Sequence, residues 1–145
     1  MPEFPIKFEV KANASAGISK SWTATENSSK PIECAIPPVF HGPGQGYSPE
    51  GLFGISILNC IIAFYKTLCE KSNVQFSNLE SSASMTMDYS SDDDSILSIT
   101  EIDFNITVNG SSDPEKAKIL LEQSASRCPL SNSIKCGKTY NFKVN

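Results

Sequence analysis

Few residues in this chain have side chains suited to catalysis. There are five cysteines, Cys34, Cys60, Cys69, Cys128 and Cys136, one histidine, His41, and one arginine, Arg127. No CxxC occurs, and the spacings fit no zinc site around the lone histidine, so no metal centre is expected. A serine-hydrolase reading fails as well, for want of GxSxG and of any group to assist His41. What remains is thiol chemistry. An odd cysteine count, with no signal-peptide pattern in MPEFPIKFEV, points to reduced thiols in a cytoplasm and not to a disulfide framework. The sequons at Asn13, Asn27, Asn105 and Asn109 then stay unread.

Cys60 sits in the stretch around which the chain is organised, SPEGLFGISILNCIIAFYKTLCEK, residues 48–71. Ser48 is a good N-cap, Pro49 suits the first helical position, and Glu50 sets a carboxylate at the positive end of the dipole. Large apolar residues then fall on every side of the helical wheel, which predicts a helix buried all round. Gly54, Ser56 and Asn59 interrupt the run, which reads as too short to span a membrane. Phe53, Ile57 and Phe64 share the stripe of Cys60 and suit an apolar substrate. Glu50 and Cys60 would lie about 15 Å apart along one straight helix, too far to touch.

Cys128 belongs to a second helix. Asp113 caps it, Pro114 begins it, and Ala117, Leu120, Leu121, Ser124 and Cys128 form one stripe. Pro129 ends it, which places Cys128 in the last turn, where the dipole opposes a thiolate. Strands surround the two helices. Residues 4–40 read as three, carried by Ile6, Phe8 and Val10, by Ile18 to Thr25, and by Ile32, Cys34 and Ile36. Cys34 is expected to face a core. Ser82 to Tyr89 alternates, Ser90 to Ser95 is a solvated connection, and Ile96 to Val108 returns with a bulge near Thr100 or Glu101. Thr139 to Val144 closes the chain. The expected fold is α+β, a single domain over residues 1–145 with antiparallel sheets around a long buried helix.

Two glycine motifs lead nowhere. Gly42, Gly44 and Gly46 give GxGxG in a loop without a βαβ setting, and Gly137-Lys138-Thr139 lacks the earlier P-loop glycine. The glycines of the loop are expected to let the backbone turn tightly. No nucleotide or other cofactor is expected. At 39% hydrophobic, 19% charged and net charge −4, the chain reads as an ordinary globular protein and not as a nucleic-acid binder.

SPEGLFGISILNC, with Glu50 ahead of Cys60, and SRCPLSNSIK around Cys128 together resemble the OsmC/Ohr family of thiol-dependent organic hydroperoxide reductases. PPVFHGPGQGYSPE also looks like the loop of one branch of that family. The resemblance implies an intertwined homodimer with active sites at the subunit interface. It implies Cys60 as peroxidatic thiol, Cys128 as resolving thiol and Glu50 as a carboxylate of the site. If Glu50 and Cys60 serve one site, Glu50 would reach the Cys60 of the other subunit. The family arginine, in an N-terminal segment or in the loop before the helix, has no counterpart here. The cation falls to His41, Lys20 or Arg127. A dihydrolipoyl group or thioredoxin would be the reductant. The competing expectation is a non-catalytic module of the same fold that binds a small apolar ligand.

Overall fold

In a computed structural model of the protein, which describes residues 3–27 and 29–145, the chain groups into two units, Met1–Phe53 and Gly54–Asn145. The first unit holds an antiparallel sheet of β1 (Val10–Asn13), β2 (Trp22–Glu26) and β3 (Ile32–Cys34). All three strands are shorter than expected, β3 ending at Cys34 before Ile36. β1 begins at Val10 because its register ends at the pair Val10 and Glu26, beyond which β2 turns away. Ile6 and Phe8 therefore have no ladder to join, and β2 starts only at Trp22, leaving Ile18 exposed. Cys34 is buried, as its alternation predicts.

The glycine loop is not wholly irregular, since Pro38–Phe40 form one turn of 3-10 helix. Tyr47 then returns to bridge Cys34, its N–H donating to the Glu33 carbonyl at 2.9 Å. At Gly42 a Cβ would overlap the Ile36 backbone, so the tight turn requires glycine there.

Helix α1 (Pro49–Ser72) starts as the sequence predicts, with the Gly51 N–H donating to Ser48 Oγ at 3.0 Å. Its burial does not follow the prediction. Gly54, Ile57, Ile61, Tyr65 and Cys69 form the buried stripe, whereas Leu58, Ile62, Phe64 and Leu68 are half-buried and Ile55 is exposed. One chain covers one face only. At 24 residues α1 is also long and apolar enough to cross a membrane by length and composition, contrary to the expectation that the run is too short. One face of it packs on its own chain. A Cβ on Gly54 would come within 2.8 Å of Met85 Cε on the neighbouring strand, and Tyr65 packs on Phe76 at 5.2 Å.

The second unit continues with β4 (Asn78–Tyr89), β5 (Leu97–Asn109), α2 (Pro114–Ser126), α3 (Pro129–Asn132) and β6 (Gly137–Val144). Between β4 and β5 the register steps from Thr86–Glu101 to Met87–Ile99, which leaves Thr100 as the bulged residue at the expected place. Beside β5, β6 runs parallel, not antiparallel. The physical reason is the connection, since a crossover through helices returns the chain in the same direction. Asp113 caps α2, its carboxylate accepting from the Lys116 N–H at 3.1 Å. Buried side chains come from α1, from Ile102, Phe104, Ile106 and Val108 of β5, and from Ala117, Leu120 and Leu121 of α2.

Candidate active site

Cys60 precedes Ile61 of the buried stripe and stands on its shoulder, half-buried. It is not in the core, as a mid-helix cysteine on a helix buried all round would be. Cys128 is fully buried, but at a different place from the one its sequence suggests. α2 stops at Ser126, and Cys128 takes extended angles, φ −65° and ψ 113°, as the residue before a proline prefers. Pro129 then starts the four-residue α3, for which Cys128 is the N-cap. The Ser131 N–H donates to Cys128 Sγ at 3.3 Å. The thiol thus sits just past the end of α2, at the start of a turn whose Ser131 N–H faces it, and not inside the last turn of α2 as expected.

The Cys60 thiol lies close enough to Cys128 to act on its sulfur. Burial, and secondarily the Cys60 thiol, push the Cys128 pKa up to about 11, against the lowering effect of the Ser131 and Leu130 N–H groups. Cys69 lies on the core stripe beside Tyr65, and burial raises its pKa. All five cysteines are free.

Around Cys128 stands a group that the sequence reading did not single out. Ser131 Oγ and Tyr140 Oη share a hydrogen bond of 2.6 Å. Tyr140 stacks on Phe104 at 4.8 Å and on Phe142 at 5.7 Å. The Lys138 ammonium donates to the carbonyls of Ser131 and Ile134. The available signal was Cys128-Pro129, which marks the start of a turn, together with the alternation of Lys138, Tyr140 and Phe142 on one face of β6.

The family described as OsmC-like protein matches residues 42–143. This chain belongs to the OsmC family. Solved structures agree on the fold of this OsmC protein. An OsmC-like protein of unknown function from Vibrio cholerae superposes with TM-score 0.83 at 13% identity, covering 95% of this chain and 99% of that one. An organic hydroperoxide resistance protein OsmC from Legionella pneumophila gives 0.72 at 14% identity, covering 99% of both chains. OhrB, the organic hydroperoxide resistance protein of Bacillus subtilis, gives 0.66 at 16% identity, with 97% of this chain and 98% of that one covered. No curated protein matches the chain in sequence.

The other residues singled out in this OsmC protein have varied settings. Glu50 is half-buried, and its Oε2 is enclosed with no hydrogen-bond partner. His41 ends the 3-10 turn in the left-handed region at φ 64°, exposed, and Lys20 is exposed beside the turn at Gly17. Arg127 caps the end of α2, also exposed. Phe53 and Phe64 are half-buried, whereas Ile57 is 1% exposed and serves the core. Among the described residues no group of three His, Cys, Asp or Glu side chains could hold a metal ion.

Proposed function

We propose that this OsmC protein reduces organic hydroperoxides to alcohols with its own thiols. The contact between Cys60 and Cys128 carries the reading. The Cys60 thiolate attacks the distal peroxide oxygen, the O–O bond breaks, and the alkoxide leaves and takes up a proton. Cys60 is then a sulfenic acid. The Cys128 sulfur attacks it, an S–S bond forms, and the hydroxyl leaves as water with the Cys128 proton. An external dithiol, of the dihydrolipoyl or thioredoxin kind, reduces the disulfide and is itself oxidised. Cys60 takes the first step because it is half-buried whereas Cys128 is enclosed, and because the raised pKa of Cys128 leaves little thiolate there.

The protein is proposed to act as a homodimer in a cytoplasm. Leu58, Ile62 and Leu68 remain half-bare on α1, and a second copy would cover them. The partnerless Glu50 oxygen suits a carboxylate that reaches the Cys60 of the other subunit or the hydroperoxide itself. His41, Lys20 and Arg127 are the candidates for the cation that lowers the Cys60 pKa, and Phe53 and Phe64 for the apolar wall of the substrate site.

One equivalent of tert-butyl hydroperoxide should give a Cys60–Cys128 disulfide, read by peptide mapping under non-reducing conditions. Cys60→Ser should consume no peroxide. A Cys60 that stays a free thiol through this treatment overturns the enzyme reading and leaves a module that binds an apolar ligand.

A further inference from the structure

Cys128 carries charge twice in the proposed cycle, and the following inference rests on that reading. It attacks the sulfenic acid, and later it leaves as a thiolate when the dithiol attacks the more accessible Cys60 sulfur. In that second step a bond forms between the reductant sulfur and Cys60, the S–S bond breaks, and its electron pair goes to Cys128. Water cannot solvate the departing charge, since Cys128 is 0% exposed. The donors at hand are the Ser131 N–H, at 3.3 Å, and the Leu130 N–H beside it.

Those donors belong to a helix of four residues, which has too few internal hydrogen bonds to stand alone. β6 supplies what is missing. Lys138 and Tyr140 point to the same side of the strand, as residues two apart do. Tyr140 grips the Ser131 hydroxyl at 2.6 Å, and its ring stacks on those of Phe104 and Phe142. Lys138 satisfies the Ser131 and Ile134 carbonyls, which end the turn. Both therefore act on the residue whose N–H faces the sulfur, without touching the sulfur themselves.

We propose that Tyr140 and Lys138 are positioning residues for Cys128, which lock α3 so that the Ser131 N–H stays aimed at the Cys128 sulfur. The titratable groups facing that sulfur are Cys60 from α1 and Tyr140 from β6, with Cys136 acting on Tyr140 in turn. Burial, opposed by the Ser131 hydrogen bond, raises the pKa of Tyr140, so its hydroxyl stays protonated at neutral pH.

The test is the pH profile of iodoacetamide alkylation at Cys128, mapped by mass spectrometry in the Cys60→Ser protein. It uses no hydroperoxide, so a failed peroxidase reading and a failed positioning reading give different results. Tyr140→Phe keeps the stacking and removes the hydroxyl. It should move the midpoint upward and slow alkylation below it by about fivefold to tenfold, the effect of one hydrogen bond. Ser131→Ala should match it, and the double variant should add nothing further, because the two changes remove one interaction. Lys138→Met should shift the midpoint in the same direction. Profiles that superimpose on the parent overturn the proposal. So does a downward shift with faster alkylation at every pH, which would mean that the group only seals the thiol from water.

Discussion

The Cys60 thiol acts on the buried sulfur of Cys128, although one stands on the flank of the central helix and the other caps a single turn between α2 and β6. In the proposed cycle this proximity couples the two thiols and divides their tasks. Cys60 keeps partial access to solvent, and Cys128 has none. A reagent from outside meets Cys60 first, and Cys128 waits behind it.

Removal of the second thiol should therefore arrest the cycle after its first step. With Cys128→Ser, one equivalent of organic hydroperoxide should leave a Cys60 sulfenic acid that dimedone traps, and further peroxide should carry it to the sulfinic acid. Cys69→Ser should change this little, since Cys69 lies about 13.5 Å further along the axis and on the core stripe. Disulfide formation at the wild-type rate in Cys128→Ser, with Cys69 as partner, would refute the assignment.

The buried thiols make stability fall at high pH. Cys128 is raised to about 11 from an ordinary 9.0, and Cys69 is raised as well, so the folded state holds protons that the unfolded chain has released. Stability from these groups is fully present below about pH 9 and is lost as pH rises through 11. Urea melts of the reduced protein from pH 8 to 11 should show this decline, with a shallower slope for Cys128→Ser. Equal slopes would contradict the burial cost assigned to Cys128.

Assembly should follow from the uncovered flanks of α1. Sedimentation at micromolar concentration is expected to show two chains together, burying well above the roughly 1,600 Å² of a standard interface. Ile62→Glu, which sets a charge on a half-buried flank, should shift the chain toward monomer and lower its stability by several kcal/mol. A stable, folded wild-type monomer would remove this argument.

Local chemistry was enough to read much of the chain. Ser48 and Asp113 announce two helix starts through their own side chains, and both caps form. The change of apolar phase across Thr100 locates the bulge, because a pleated strand cannot shift its buried face without an extra residue. The motifs around Cys60 and Cys128 single out two thiols that the fold brings near each other.

What tertiary structure alone decided depends on which segments find partners. Ile6 and Phe8 alternate like a strand, yet β2 ends at Glu26 and leaves them no ladder. The apolar pattern of α1 is the same on all sides, so nothing in it distinguishes the face covered by its own chain from the flanks that are not. The parallel course of β6 was set by the crossover through α2 and α3. Cys128 differs, since its proline already marked a new turn. The hydrogen bonds that hold its neighbour Ser131 come from Tyr140 and Lys138, remote in sequence from Cys60 and brought beside α3 only when β6 joins the sheet.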